Sequence, residues 1–263
     1  MDKYFQEYII TNDCMDKNYR IKPISVIMFF QDSFARFLTT KYLAAFHIIK
    51  ENLYWVVSEF NIDFKDDLPF WSEKINVEIW ISELSKLKIY ADFRLTYKDK
   101  IFAEGNSCWY ILDTNTKRPV STDIIKDKIG VVSEFSLGEH KKTGVENCFE
   151  KLNEISHTIN ISDIDFNKHV NNKSYINIAE TSFDEDYRNT HSVKNMHVKF
   201  IKESFLKDNL TCSLYKTGSP DYFVNKITKD GADIFYMTTK WEKISNNKSI
   251  NDIDLSLIKK QQN

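Results

Sequence analysis

Residues 61–80 read NIDFKDDLPFWSEKINVEIW, and residues 197–215 read HVKFIKESFLKDNLTCSLY. With a single-residue gap, the two stretches match in their order of apolar, charged and aromatic positions. The agreement extends further, because Trp109 ends one alternating segment and Trp241 ends another. A helical apolar pattern at residues 26–38 recurs at residues 175–183, at an offset of about 146 positions. The sequence therefore predicts a two-fold internal repeat with units of about 130 residues.

Each unit combines strand-like and helix-like patterns. Apolar residues alternate with polar ones along residues 75–81, 89–97 and 210–215, which is typical of strands with one buried face. The two repeated apolar segments have helical spacing, and Ser25 is predicted to cap the first helix, Asn171 with Asn172 the second. A long apolar helix is buried when a curved antiparallel sheet wraps around it. We therefore predict an α+β fold in which each unit is a strand, a long helix and several antiparallel strands.

The segment between the two units has a different composition. Residues 122–152 are rich in charge, hold three of the six glycines and show weak apolar periodicity. These features are typical of a linker. We therefore predict an N-terminal domain at residues 1–125, a linker at residues 126–149 and a C-terminal domain at residues 150–263.

Composition excludes several classes of function. The formal net charge is −2, whereas nucleic-acid-binding domains are usually strongly basic. No two of the six glycines are closer than six residues, which excludes the glycine-rich loops that bind nucleotides. The longest apolar run, at residues 24–30, is too short to span a bilayer, and the first residues lack the pattern of a secretory signal.

Cysteine and histidine spacing bears on the cellular compartment and on metal binding. The four cysteines are scattered without C-x-x-C spacing, so we expect reduced thiols and a cytoplasmic protein. The histidines lack partners at metal-ligand spacing, so we predict no metal site.

One polar segment stands out, ISDIDFNKHVNNKSYINIAE at residues 161–180. If its first part is extended, Asp165, Asn167 and His169 point to one face. A carboxylate, an amide and an imidazole would then meet beside a helix N-terminus, whose free N–H groups suit an oxyanion. At the matching offset the first unit has residues without acid–base chemistry, at positions 19, 21 and 23 (Tyr19, Ile21 and Pro23). This divergence favours catalysis in the second unit, and the alternative is a polar loop with Asn caps.

Glu203 is a second candidate for the chemistry. It follows the predicted strand at residues 197–200, whose partner in the first unit lies at residues 62–64. The alternative interpretation is a surface glutamate among Lys202 and Lys207.

These segments resemble a known family. DIDFNKHVNNKSYI at residues 163–176 and MHVKFIKES at residues 196–204 resemble the acyl-acyl carrier protein thioesterases of plants and bacteria. Those enzymes show a D-x-D-x-N-x-H-V-N-N segment and a downstream Glu-Cys or Glu-Ser pair. Three stretches of the first unit resemble the N-terminal domain of the same family: FFQDSFARFL at 29–38, NLYWVVSEFNIDF at 52–64 and NSCWYILDTNTKRPV at 106–120.

The resemblance implies a tandem hot-dog fold, with the catalytic residues in the second domain and the acyl tail largely in the first. It implies a catalytic set made of Asp165, Asn167, His169 and Glu203. Substrate contacts are expected from a further set: Ser204, Asn171, Phe30, Phe34 and Trp55. Plant members usually carry Cys after the glutamate, whereas this chain has Ser204. A Cys–His mechanism is therefore excluded, and a carboxylate mechanism is favoured.

The expected reaction is hydrolysis of a fatty acyl thioester, which releases a free fatty acid from acyl carrier protein. Asp165 would act as nucleophile or as general base on water, and Glu203 would position or activate the water. The thiolate is a good leaving group, so no cofactor is expected. The alternatives are an acyl-CoA thioesterase of the same fold, a hot-dog dehydratase or hydratase, and a non-catalytic acyl-binding protein.

The expected partner is an acidic acyl carrier protein that carries the fatty acyl chain. Basic residues near the motif could meet such a protein, although solvated surface charges are the alternative: Lys168, Lys173, Lys194, Lys199 and Lys202. The oligomeric state is left open, with a homodimer as one arrangement, and so is the preferred chain length.

Overall fold

Antiparallel strands run side by side through the described part of the chain and form one sheet. The computed structural model describes residues 3–65, 68–140, 148–165 and 168–244. The strands are β1 (Lys3–Ile9), β2 (Leu53–Phe64), β3 (Lys74–Leu84), β4 (Ile89–Tyr97), β5 (Lys100–Asp113), β6 (Cys148–Thr158), β7 (His191–Phe200), β8 (Asn209–Thr217), β9 (Tyr222–Lys229) and β10 (Ala232–Lys243). From edge to edge their order is β1-β3-β4-β5-β2-β7-β10-β9-β8-β6.

The strand order displays the internal repeat. Read outward from the centre, the first half runs β2-β5-β4-β3-β1 and the second half runs β7-β10-β9-β8-β6. Each strand of the first half thus has a counterpart five strands later in the chain. The halves join edge to edge where β2 pairs with β7, with Glu59 opposite Lys199 and Asn61 opposite His197. The predicted α+β fold of two fused units is therefore confirmed.

The two tryptophans that suggested the repeat occupy equivalent places. Trp109 of β5 lies opposite Val57 of β2, and Trp241 of β10 lies opposite Val193 of β7. Each indole N–H also donates to a hydroxyl two residues earlier, Trp109 to Ser107 at 2.8 Å and Trp241 to Thr239 at 2.9 Å. The repeat therefore extends to individual hydrogen bonds.

Each unit packs a helix against its sheet. The apolar positions that the sequence assigned to the first helix are buried in α1 (Pro23–Thr40): Val26, Ile27, Phe30, Phe34, Phe37 and Leu38. In the second unit, α3 (Asn172–Thr181) buries Tyr175, Ile178 and Ala179. Short helices precede the two central strands, α2 (Ala45–Ile48) before β2 and α4 (Glu185–Thr190) before β7.

The predicted helix caps have different outcomes. Asn171 caps α3 as predicted, because its side-chain oxygen accepts a hydrogen bond from the Lys173 amide at 3.0 Å. The predicted cap at Ser25 is wrong, since α1 begins two residues earlier at Pro23. Proline suits the first helical turn, where its missing N–H is not needed. The Ser25 hydroxyl instead donates to the Cys14 carbonyl at 3.3 Å.

The predicted strand faces are confirmed in both units. The alternating apolar residues of β3, β4 and β8 are buried, while most of their sequence neighbours are exposed or half-buried. The buried set is Ile75, Val77, Ile79, Ile81, Ile89, Ala91, Phe93, Leu95, Leu210, Cys212 and Leu214.

Residues 130–140, in the predicted linker, pack against the first unit. The Glu134 carbonyl accepts a hydrogen bond from the Trp80 indole at 2.7 Å. The Ser136 amide and hydroxyl both donate to the buried Asp92 carboxylate at 2.7 Å. His140 approaches the same carboxylate, with 3.2 Å between Nε2 and Oδ2. These residues are therefore tied to the outer face of the first unit, and the domain bounds themselves stay a prediction.

Candidate active site

The polar motif folds as a short helical turn followed by a tight reversal. Ile161–Asp163 forms a 3-10 helix that the Asn160 side chain caps. Ile164 then pairs with Val170 in an isolated antiparallel bridge. Between them, the Asp165 amide donates to the His169 carbonyl at 2.9 Å, and the Lys168 amide donates to the Asp165 carbonyl at 3.0 Å. We call this segment, residues 164–170, the second-unit turn.

The expectation of an extended approach to the helix is therefore wrong. Lys168 has a φ of 67°, which reverses the chain instead of continuing a strand. The reversal still brings Asp165 and His169 together, because the Asp165 carboxylate accepts from the His169 amide at 3.3 Å. Asn167 lies outside the described residues, so its place in the catalytic set stays a prediction.

The structure brings Glu203 to His169, although they are far apart in the sequence. His169 Nδ1 lies 3.6 Å from Glu203 Oε1, and the two side chains are 31% and 47% exposed. The loop that carries Glu203 is fixed to the second-unit turn, because the Val170 amide donates to the Ser204 carbonyl at 3.1 Å. The exposed Phe205 ring packs edge-on against His169 at 5.5 Å. Asp165, His169 and Glu203 thus form one solvent-accessible polar cluster just before α3.

The buried Asp163 supports this cluster. The Asn171 amide donates to the Asp163 carbonyl at 2.7 Å, which holds the start of α3 against the 3-10 helix. Asp163 Oδ2 lies 3.0 Å from His157 Nε2. Burial raises the pKa of Asp163, but hydrogen bonds from the Asn160 amide, His157 and Ser174 outweigh burial and leave the pKa below its ordinary value. Asp163 is therefore an ionised structural anchor for the site.

Ser204 is fully buried beside Tyr175 of α3. Burial raises the pKa of Tyr175, and the nearby Ser204 hydroxyl and backbone only partly oppose this rise. The loop through Ser204 is therefore packed against the first turns of α3. The substrate contacts predicted for Ser204 and Asn171 stay predictions.

The aromatic residues predicted to meet the acyl tail lie together in the first unit. The Phe30 and Phe34 rings are 5.9 Å apart, and Phe34 meets Trp55 edge-on at 5.8 Å. Phe30 is 0% and Phe34 is 2% exposed, whereas Trp55 is half-buried and donates to the Leu43 carbonyl at 2.8 Å. A tail that binds here must enter between rings that contact one another, and the assignment stays a prediction.

The first unit adds a residue that the sequence did not indicate. Tyr54 stands at the start of β2, and Lys117 Nζ lies 5.0 Å above its ring. Burial raises the pKa of Tyr54, and the Glu203 carboxylate raises it further. Tyr54 of the first unit thus lies within electrostatic range of Glu203.

The sequence-based match for the second-unit turn is also wrong. A turn with the same hydrogen bonds lies at residues 15–21, where Met15 pairs with Ile21. There the Asp16 amide donates to the Arg20 carbonyl at 2.7 Å, and the Tyr19 amide donates to the Asp16 carbonyl at 3.0 Å. Tyr19 has a φ of 59°, as Lys168 has 67°.

This first-unit turn, residues 15–21, therefore matches the second-unit turn in length and, at the described positions, in its backbone hydrogen bonds. The counterparts of Asp165, Asn167 and His169 are Asp16, Asn18 and Arg20, not Tyr19, Ile21 and Pro23. Of these three polar positions, only the third differs between the two units, with arginine in place of histidine.

In the ranges given above, no group of three or more His, Cys, Asp or Glu side chains is arranged to hold a metal ion. No helix within the same ranges has both the length and the apolar character needed to cross a membrane.

Two solved structures with a similar architecture are acyl-ACP thioesterases. The chain superposes on one from Bacteroides thetaiotaomicron with a TM-score of 0.80 and 20% identity, covering 92% of this chain and 98% of that one. A 12:0-ACP thioesterase from Umbellularia californica gives a TM-score of 0.82 at 17% identity, covering 93% and 98%. These structures confirm the two hot-dog units.

Sequence comparison points to the same proteins. The chain is 24% identical over 214 residues to the chloroplastic oleoyl-acyl carrier protein thioesterase 2 of Arabidopsis thaliana, covering 76% of this chain and 55% of that protein. It is 25% identical over 210 residues to a chloroplastic acyl-[acyl-carrier-protein] hydrolase of Cuphea viscosissima, covering 73% and 49%. The chain thus spans about half the length of these relatives.

Family models match both units. The acyl-ACP thioesterase N-terminal domain matches residues 1–129, and the C-terminal domain of the same family matches residues 147–243. The two matches follow each other in the family's own order and leave little of the described chain uncovered. The chain therefore belongs to the acyl-ACP thioesterase family.

Proposed function

We propose that this chain hydrolyses fatty acyl thioesters of acyl carrier protein and releases the free fatty acid. The observation that supports this most strongly is the approach of His169 to Glu203, at 3.6 Å, next to the turn that carries Asp165. A carboxylate, an imidazole and a second carboxylate supply a base, a proton donor and a group that orients water. Family membership adds the thioester as the bond that is cleaved.

In the proposed reaction, an oxygen nucleophile attacks the thioester carbonyl carbon and the C–S bond breaks. Asp165 is either that nucleophile, forming an anhydride that water then hydrolyses, or the base that takes a proton from water. The departing thiolate receives a proton, so the products are a carboxylic acid and the carrier thiol. His169 is positioned by Glu203 and donates to the developing oxyanion, and we expect Asn167 to assist.

The acyl tail is proposed to lie against the first unit. The cluster of Phe30, Phe34 and Trp55 supplies an apolar surface on the side of the molecule that also contributes Tyr54 near Glu203. Tail burial there would supply most of the binding energy, at about 0.8 kcal/mol for each buried methylene. The reacting groups would then be free to act on the thioester alone.

Acyl carrier protein is the proposed partner, and CoA is the alternative carrier. The relatives named above act on acyl carrier protein according to their names. Exposed Lys168 and Lys202 flank the polar cluster and suit an acidic partner. A cytoplasmic location and a homodimer remain predictions.

The function is tested by incubating the purified protein with acyl carrier protein and with CoA carrying the same acyl chain, and by measuring thiol release. We expect faster release from the carrier protein, and a loss of release from both in Asp165→Asn. Asp99→Asn changes an exposed residue of the turn between β4 and β5 in the first unit and serves as the matched control. Thiol release that is absent from the parent protein, or unchanged in Asp165→Asn, would refute the proposal.

A further inference from the structure

The Arg20 side chain of the first-unit turn is held in place by its own turn. Asp16 Oδ1 accepts from the amides of Asn18 and Arg20, at 2.8 and 2.9 Å, and Asp16 Oδ2 accepts from Arg20 Nε at 3.0 Å. Arginine stays protonated in proteins, so it cannot exchange protons as the equivalent His169 can. The first-unit turn keeps the backbone of the second-unit turn but has no acid–base group at this position.

The same side chain crosses to the second unit. Arg20 Nη1 donates to the His191 carbonyl at 3.0 Å, and Nη2 donates to the Arg188 carbonyl at 2.7 Å. Next to Arg20, the side-chain nitrogen Nδ2 of Asn18 donates to Asn189 Oδ1 at 3.0 Å. The contacted residues form the end of α4 and the start of β7. The three hydrogen bonds made by Asn18 and Arg20, together with the exposed ion pair of Lys17 with Glu185, thus join the first-unit turn to one short segment of the second unit.

That segment is connected to both parts of the candidate active site. The Arg188 guanidinium donates to the carbonyl and to the side chain of Glu180, at 3.3 and 3.4 Å. Glu180 lies in the last turn of α3, the helix that begins at the second-unit turn. In the other direction, β7 ends at Phe200, three residues before Glu203. A shift of the α4–β7 segment would therefore move both the helix that follows His169 and the strand that precedes Glu203.

We propose that the first-unit turn is an interdomain latch, in which Arg20 fixes the α4–β7 segment of the second unit and so keeps His169 and Glu203 at their observed distance. The guanidinium fits this purpose because it donates in several directions at once, to one carboxylate and two carbonyls. Arg20 is a positioning residue in this proposal, since it does not reach the reacting atoms. Its effect on turnover rests on the proposed function, whereas its effect on the second unit does not.

The latch is tested first without reference to activity. Arg20→Ala removes the two hydrogen bonds that Arg20 donates to the second unit, and we expect faster hydrogen exchange of the backbone amides in α3 and α4. Arg36→Ala is the matched control, since Arg36 forms an exposed ion pair with Asp32 that stays within α1. Asn18→Ala removes a single cross-unit bond and serves as a milder variant if Arg20→Ala fails to fold. Exchange in α3 and α4 equal to that of the parent protein would overturn the latch.

Turnover then tests the positioning role. At a temperature where each variant is fully folded, we expect Arg20→Ala to lower kcat about ten-fold while KM stays within about two-fold, because tail binding is untouched. Millimolar guanidinium chloride should restore part of kcat, and the same concentration of sodium chloride should not. Unchanged kcat in Arg20→Ala would overturn the positioning role. A parent protein without thioesterase activity would refute the proposed function, and the exchange experiment would still decide the latch.

Discussion

Substituting Phe34 with tryptophan tests where the acyl tail lies. Phe34 is 2% exposed and its ring centre lies 4.6 Å from that of Trp109 and 5.8 Å from that of Trp55. The larger indole has no spare room in this cluster, and overpacking of this kind costs about 1–3 kcal/mol of unfolding free energy. If the tail shares this space, the added ring displaces about two methylenes, each worth about 0.8 kcal/mol.

Two methylenes correspond to about 1.6 kcal/mol, or roughly fifteen-fold in relative kcat/KM. We therefore expect Phe34→Trp to shift the preference towards chains about two carbons shorter. The assay is kcat/KM on a series of acyl carrier protein substrates of increasing chain length, for the parent protein and the variant.

Phe37→Trp is the matched control, because Phe37 is equally buried on α1 but packs against Tyr4 on β1. It should lose stability without a change in preference. Phe34→Trp that lowers activity equally on short and long chains would show that the tail does not lie beside Phe34.

Two further predictions concern stability. Burial raises the pKa of Glu180, and Arg188 only partly opposes this, so the folded protein holds this proton more tightly than the unfolded chain does. The stabilisation by this proton is complete below the ordinary glutamate pKa and is lost as pH rises through the raised pKa of Glu180. Glutamine cannot lose a proton, so Glu180→Gln should flatten the dependence of the unfolding free energy on pH between these two pKa values. An unchanged dependence in denaturant titrations would contradict this. Gly105→Ala would place a Cβ 2.4 Å from the Asn61 carbonyl oxygen and 2.6 Å from the Phe93 ring. This clash should lower the free energy of unfolding by about 3 kcal/mol or more. A thermal midpoint within a degree of the parent value would contradict this prediction.

The strands and helices could be read from the sequence because burial imposes a period. Ile75, Val77 and Ile79 alternate on one face of β3, and Phe30 and Phe34 follow one face of α1. Each pattern reflects which side of an element faces the core, a property of the element itself. The equivalence of Trp109 and Trp241 could be seen for the same reason, since each is a buried residue in the second half of its strand, although β5 continues to Asp113 and β10 to Lys243.

The positions of the turns could not be predicted from apolar spacing, because hydrogen bonds determine where the chain reverses. Alignment of the helices put Ile21 opposite the motif, whereas the bridges at Met15 and at Ile164 give a different register. Tyr19 and Lys168 adopt positive φ angles where the two turns close. Neither is a glycine, so the sequence does not mark these positions as turns. The sequence therefore displayed the residues of the motif but not their arrangement.

Contacts between segments that are distant in the sequence could not be predicted from it either. The approach of Glu203 to His169 depends on the folding of the second unit, and the contact of Arg20 with Arg188 depends on how the two units are joined where β2 pairs with β7. The family resemblance supplied Glu203 as a candidate, and only the fold shows its distance from the imidazole.

The most direct test of the carboxylate mechanism compares kcat/KM for thiol release in Asp165→Asn and Ser204→Ala. Asp165→Asn keeps the shape of the side chain and removes its basicity and nucleophilicity, so activity should fall about a hundred-fold or more. Ser204 is fully buried, and its backbone carbonyl, which holds the second-unit turn, is kept in the alanine variant, so the loss there should be mild. If Ser204→Ala instead proves as damaging as Asp165→Asn while the protein stays folded, the hydroxyl takes part in the chemistry and the carboxylate mechanism is wrong.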